Sequence, residues 1–152
     1  MVIRKIERKD VVAVMDLIRG LAEYEKDLKS VKNTAERLSA DIFEHKLCDS
    51  LVAEVDGVIV GFSLYYISYS TWKGPCLYLE DLFVLPEHRS TGLGSKLFDH
   101  LVDMARESGF ARMDWQIIDW NQPAIDFYER KKAVIDREWL NGRLFFPENE
   151  MK

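Results

Sequence analysis

The densest set of chemically capable residues lies in one stretch, LYLEDLFVLPEHRSTGLGSKLFDHLVDMARESG, from Leu77 to Gly109. Two acids, Glu80 and Asp81, interrupt an apolar run. Arg89, Gly92 and Gly94 follow where that run gives way to a helical pattern. A helix N-terminus leaves several backbone N–H groups without partners, and the helix dipole adds positive character there. Such an end binds phosphate. Gly92 and Gly94 remove side-chain bulk, so an anion can approach the backbone. Arg89 can add a charge-assisted hydrogen bond to the same anion, and Ser90, Thr91 and Ser95 can add hydroxyl donors. The two glycines equally suit a plain turn between strand and helix. Spacing excludes two other phosphate loops. The G-x-x-x-x-G-K-[ST] pattern is not met, and the third glycine of a dinucleotide-binding loop would fall at Leu97.

The elements that must position these residues can be read from periodicity. Val2 to Ile6 alternates and predicts a first strand. Asp10 is placed to cap a helix from about Val11 to Lys26, whose apolar face is Val14, Leu17, Ile18 and Leu21. Asn33–Glu36 resembles a capping box that opens a second helix ending near Lys46. Asp56-Gly57 joins two β-rich runs and predicts a hairpin, the second run reaching about Tyr69. A turn cluster, STWKGP, leads to a strand at Leu77–Leu85. Next comes a helix at Gly94–Ser108, with Gly109 placed to end it. A strand starts near Arg112. Asn121 caps a helix with Pro123 in its first turn, running to about Lys131. A final hairpin is expected around Asn141-Gly142. The order β-α-α-β-β-β-α-β-α-β-β, without repeats or linkers, predicts one α/β or α+β domain over residues 1–152.

Composition narrows the function classes. A chain of 152 residues, 47% apolar and 31% charged, fits one globular domain with a full-sized core. No apolar run reaches the length of a membrane span, and the N-terminus lacks the apolar stretch of a signal peptide, so a cytoplasmic protein is expected. The net charge of −5 argues against nucleic acid as a partner and is compatible with a cationic one. Cys48 and Cys76 form no disulfide or metal pattern and read as free thiols. His45, His88 and His100 have no ligand spacing, so no metal is expected.

The pattern R-x-x-G-x-G, here Arg89 to Gly94, after a strand and opening a helix, resembles the acyl-CoA pyrophosphate loop of the GNAT acyltransferases. The segments LAEYEK, LYLEDLFV, RSTGLGS and DWNQPAIDFYERKKA together resemble the spermidine/spermine (diamine) N-acetyltransferase branch, along nearly the whole chain. The resemblance implies the GNAT fold, a mixed, splayed β-sheet of about six to seven strands flanked by about four helices. It also implies acetyl-CoA as cosubstrate, a small cationic amine as acceptor and a homodimer. Backbone groups of Leu82, Phe83 and Val84 would pair with the pantetheine arm. Arg89, with Ser90, Thr91, Gly92, Leu93, Gly94 and Ser95, would cradle the pyrophosphate. Asn121 would hold the cofactor near its thioester, with Gln122, Pro123 and Ala124 along the arm and Tyr128 close to the sulfur. The acceptor side would comprise Tyr24, Glu25, Glu80, Asp114, Trp115 and Gln116.

An alkyl ammonium has a pKa of about 10.4, so freeing the amine at neutral pH costs roughly 4–5 kcal/mol. A positioned base assists this step, and Glu80 is the candidate; its alternative role is to bind the cation without taking a proton. Glu80 and Asp81 point to opposite faces of a regular strand unless a bulge intervenes. Tyr128 suits the general acid that meets the departing thiolate, since a phenol is a donor at neutral pH; its alternative is a packed helix aromatic. Trp72 could flank a cation, but Trp72 and Trp115 also fit a core, and Glu25 also fits a solvated helix end.

The sequence departs from the family pattern at three places. Lys132 stands where glycine is usual after a helix, requiring a left-handed backbone or a different turn. Ser90 stands where glycine is common in the loop. Trp139-Leu140 occupy the register where the polyamine branch carries an acid pair. A thialysine-like amino acid or another small amine therefore fits as well as a polyamine. A protein-lysine acetyltransferase, a non-catalytic CoA-binding regulatory module and a nucleotide-phosphate binder are the competing functions.

Overall fold

The computed structural model describes residues 1–151, grouped as two compact units, Met1–Trp115 and Gln116–Lys152. The first unit contains β1 (Val2–Lys5), α1 (Val11–Tyr24), α2 (Ala35–Phe43), β2 (Asp49–Val55), β3 (Val58–Ser70), β4 (Gly74–Val84), α3 (Leu93–Glu107) and β5 (Met113–Trp115). The strands form one sheet in the order β1-β2-β3-β4-β5. All neighbours are antiparallel except β4 and β5, which are parallel. Asp56 and Gly57 both take positive φ, 50° and 80°, as the tight β2–β3 turn requires.

The core follows the apolar spacing. On one side, Val14, Met15 and Leu17 of α1 and Leu38 and Ile42 of α2 pack with Val52, Phe62, Leu64 and Phe83 of the sheet. In α3 the buried residues Leu93, Leu97, Phe98, Leu101 and Ala105 form a single stripe. Gly61 sits where β3 meets β4 closely. A Cβ there would stand 3.1 Å from the Phe83 carbonyl oxygen and 3.1 Å from Val84 Cγ2.

Asp10 occupies the cap position of α1 but does not cap it. Its buried carboxylate instead accepts from Arg4 Nη1 at 2.7 Å, Arg4 Nη2 at 3.1 Å and the Glu7 N–H at 2.8 Å. Arg4 also reaches Glu54 Oε1 at 3.0 Å, so one guanidinium ties β1, the start of α1 and β2 together. A buried charge is tolerated only when paired in this way. The cap of α2 is Thr34, whose Oγ1 accepts from the Arg37 N–H at 3.2 Å, one residue later than the expected Asn33.

Pairing of β4 has two irregularities that matter for the site. Leu64 pairs with Asp81 and Tyr65 with Leu79, so Glu80 is the extra residue of a β-bulge. Pairing with β5 covers only Leu77–Leu79, so no strand of the described residues lies along the outer edge of β4 from Glu80 to Val84.

The second unit contains α4 (Gln122–Arg130). Asn121 caps it as expected, its Oδ1 accepting from the Ala124 N–H at 3.3 Å. The helix ends at Lys131, and Lys132 follows with φ 68°. Lys132 N–H donates to the Glu129 carbonyl and Ala133 N–H to that of Tyr128, the paired bonds of a Schellman ending. The expected hairpin around Asn141-Gly142 is not formed, and the sheet has five strands where six to seven were expected, beside the four α-helices. A two-stranded ribbon is marginal without a third strand or an apolar cover. Trp139, Leu140, Leu144, Phe145 and Phe146 are exposed here and supply no such cover. Glycine adopts the left-handed backbone of residue 132 without Cβ strain. Lys132→Gly should therefore stabilise the fold by about 1 kcal/mol, raising Tm by roughly 2–4 °C in a thermal melt.

Candidate active site

The loop between β4 and α3 is shaped by its own side chains. Pro86–His88 makes one 3-10 turn, and the Thr91 hydroxyl donates to the His88 carbonyl at 2.5 Å. Ser90 has φ 66° and Gly92 φ 84°, so two left-handed residues reverse the chain within three positions. Ser90 thus takes the backbone that glycine would take more cheaply. Gly92 is the cap residue of α3, and no side chain caps the helix. A Cβ added at Gly92 would meet nothing within 4 Å, and one at Gly94 only Val84 Cγ2 at 3.9 Å. The space before this helix end is therefore open, with the positive end of a 15-residue helix behind it. This fits a diphosphate.

Arg89 is an exposed residue whose side chain folds back on the sheet. Its Nε donates to the Val84 carbonyl at 2.9 Å. Its guanidinium carbon is 5.3 Å from the centroid of the Tyr24 ring and 5.2 Å from that of Phe83. The structure therefore gathers Tyr24, Phe83, Val84 and Arg89, combining one residue expected on the acceptor side with three expected on the cofactor side. The Leu85 N–H donates to Val60, and the Phe83 carbonyl lies against Gly61, so residues 83 and 85 turn their polar groups to β3. By alternation, Leu82 and Val84 turn theirs to the open outer edge, where an extended arm could add as a strand.

A second cluster is acidic. Glu80 is exposed at the bulge, and Asp81 and Glu25 are half-buried. Desolvation, reinforced by Glu80 and Glu25, pushes the Asp81 carboxyl up to about 7. Desolvation also raises Glu25. The Tyr66 phenol is raised by burial and by Glu80, and its ring stacks on Tyr78 with centroids 5.0 Å apart. Asp81, Tyr66 and Tyr78 are additions to the expected set. The bulge that brings Asp81 into it leaves no mark in an alternating pattern.

The other expected acceptor residues are engaged elsewhere. Asp114 is paired with Arg112, with Nε at 2.9 and 3.0 Å from its two oxygens. Trp115 is half-buried and packs edge-to-face on Phe98. Trp72 is 85% exposed at the β3–β4 turn. In the second unit, Gln116 donates to Asn141 Oδ1 at 2.5 Å, and Gln122 donates to Asp126 Oδ1 at 2.8 Å. Tyr128 is a buried residue of α4, its ring edge-to-face with Phe127 at 5.0 Å. Among the described residues, no group of three or more His, Cys, Asp or Glu side chains could hold a metal ion.

A bare helix start beside an open strand edge is the arrangement of an α/β protein that lays a phosphate-bearing arm along its sheet. Residues 14–132 match the Acetyltransferase (GNAT) family, and the chain belongs to it. It is 41% identical over 136 residues to a thialysine N-epsilon-acetyltransferase of Bos taurus, covering 84% of this chain and 80% of that protein. It is 32% identical over 140 residues to the spermidine/spermine N(1)-acetyltransferase-like protein 1 of Homo sapiens, covering 87% of this chain and 20% of that one. In fold, it is similar to an integron cassette protein from the mobile metagenome of V. cholerae, with TM-score 0.79 at 24% identity, covering 96% and 93% of the two chains. The sheet and helices are those of the GNAT fold.

The raised Asp81 has a consequence for stability. Its carboxyl moves from an ordinary 3.8 to about 7 on folding, so it costs nothing well below 3.8. The cost grows as pH rises between these values and is complete above the upper one. Asp81→Asn should therefore raise Tm by a few degrees at about pH 8 and leave it unchanged at about pH 3, read by thermal shift.

Proposed function

We propose that this chain is an N-acetyltransferase that moves the acetyl group of acetyl-CoA to a primary amine of a small cationic acceptor. The observation that carries the proposal is the pairing of an open, uncapped α3 start with an acidic bulge on the strand that leads to it. Acetyl-CoA supplies an acyl thioester, which an amine attacks directly. The loop from Arg89 to Ser95 holds the diphosphate, and the outer edge at Leu82 and Val84 aligns the arm. Asn121, Gln122, Pro123 and Ala124 support it near the thioester. Family membership, a helix start free of side-chain capping and the open β4 edge support these roles.

Glu80, exposed at the bulge, meets the ammonium, and with Asp81 it accepts the proton. Burial, reinforced by Glu80 and Glu25, raises the Asp81 carboxyl to about 7. A base of that strength is well matched to drawing a proton from an amine at neutral pH. Tyr128 gives its phenolic proton to the departing thiolate. Likeness to thialysine N-epsilon-acetyltransferases, and Trp139-Leu140 in place of an acid pair, favour a thialysine-like amino acid or short diamine over a long polyamine. A homodimer of single-domain chains is part of the proposal. The exposed Trp139, Leu140, Leu144, Phe145 and Phe146 support it, since such a patch calls for cover.

An acetylation assay over putrescine, spermidine, spermine, thialysine, lysine and a histone-tail peptide, following CoA release, tests the proposal. Turnover is expected with thialysine and the diamine; turnover of the peptide alone would make the chain a protein modifier. Binding of CoA without any turnover would make it a regulatory module. Tyr128→Phe should lower kcat by about 10²-fold with little change in acetyl-CoA affinity. For the wild type, kcat/KM should rise with pH through about 7 as Asp81 loses its proton. Glu80→Gln and Asp81→Asn should each displace that limb, and an unmoved limb in both variants would exclude the pair as the base.

A further inference from the structure

We infer that Tyr24 is a positioning residue for the phosphate loop, its ring helping to hold the Arg89 side chain that anchors the start of that loop. This rests on the acetyl-CoA reading above, and it moves Tyr24 from the amine's side of the reaction to the cofactor's. Tyr24 is the last residue of α1. The helix ends there through a left-handed Lys26, with Lys26 N–H donating to Glu23 and Asp27 N–H to Ala22, which sets the backbone that carries the ring. The Arg89 guanidinium is within cation–π range of Tyr24 and of Phe83. Phe83 is itself set by α1. A Cβ at Gly20, one turn before Tyr24, would come 3.3 Å from the Phe83 ring, so glycine lets helix and ring approach closely without a shift of the ring. Arg89 Nε then fastens the side chain to the Val84 carbonyl, on the strand that supports the arm.

The loop needs such an anchor. Directly after Arg89, Ser90 takes a left-handed backbone that costs a residue with a Cβ roughly 1–2 kcal/mol, and Gly92 takes another. The Thr91–His88 hydrogen bond spans Ser90, but the open space beside Gly92 offers no packing to add to it. The anchored Arg89 supplies the missing constraint from one end, and α3 supplies it from the other. What the ring contributes is a face, so the phenol hydroxyl is dispensable for this role.

The test is steady-state kinetics of Tyr24→Leu, Tyr24→Phe and Tyr24→Trp, with acetyl-CoA and amine varied separately, and calorimetric titration with CoA. Tyr24→Leu should raise the acetyl-CoA KM and the CoA dissociation constant by about threefold to tenfold, with the amine KM unchanged. Tyr24→Phe and Tyr24→Trp, which keep a ring face, should stay within about twofold of the wild type in every parameter. A raised amine KM in Tyr24→Phe, with acetyl-CoA parameters intact, would overturn the inference by assigning the phenol to the acceptor. Normal acetyl-CoA parameters in Tyr24→Leu would overturn it by showing that the ring holds nothing. Wild-type protein that binds no CoA would instead overturn the acetyl-CoA reading, a result distinct from either.

Discussion

The site depends on β4 outrunning its neighbour. A sheet strand satisfies its backbone along both edges or lies at a rim, yet β4 has β3 along its full length and β5 along only Leu77–Leu79. Beyond that point no strand of the described residues pairs with its outer edge, which offers a template for another extended chain although Arg89 already reaches the Val84 carbonyl. The bulge at Glu80 falls where the β5 pairing stops. It adds a residue to β4, bends the strand and turns Leu79 and Asp81, which share a face in a regular strand, to opposite faces. Leu79 remains in the core, at 1% exposure, while Asp81 joins Glu25 and Glu80. One inserted residue thus exchanges an apolar register for an acidic one at the strand's open end.

Left-handed residues do the corresponding work at the turns. α1 and α4 end through Lys26 and Lys132, and α3 through Gly109, each with paired backbone bonds of the same type. Ser90 and Gly92 set the approach to α3. At three of these five positions the chain uses a residue with a Cβ where glycine is cheaper. The cost is tolerable because the surrounding bonds over-determine the geometry. At Ser90 those bonds are the short-range ones from Thr91 to the His88 carbonyl and from Arg89 to the Val84 carbonyl.

Much of this was legible in the residues, and the failures have physical causes. Apolar periodicity located α1 and α3, since a buried stripe must recur at helical spacing whatever it packs on, and capping residues located α2 and α4. Asp56-Gly57 and Gly109 announced their turns because positive φ restricts the choice of residue. Asp10 had the right type and place for a cap, but Arg4, six residues earlier in β1, captured its carboxylate. Asn141-Gly142 had the right turn chemistry, yet turn chemistry without a third strand or a cover does not hold a ribbon. At the candidate site, loop and acids were visible as residue types. The association of Arg89 with Tyr24 was not, because cation–π neighbours 65 positions apart leave no spacing to read.

Asp10 and Asp81 show how one residue type is put to two uses. Both lose water on folding, which by itself favours the neutral acid. Asp10 faces the Arg4 guanidinium, whose hydrogen bonds hold its carboxyl below the ordinary range, so it stays charged and serves as a structural tie. Asp81 faces Glu80 and Glu25, which add to the effect of burial instead of opposing it. An acid placed among acids without a cation is unstable as a structural device, and the unfavourable term persists at neutral pH. The same arrangement becomes favourable once a cation enters, because a positive charge relieves both the repulsion and the raised proton affinity. An ammonium arriving at Glu80 would therefore be bound most strongly while charged, and it would meet in Asp81 a partner able to take its proton. Under the proposed function, the fold's least comfortable carboxylate is thus the one that would suit the bulge to an amine.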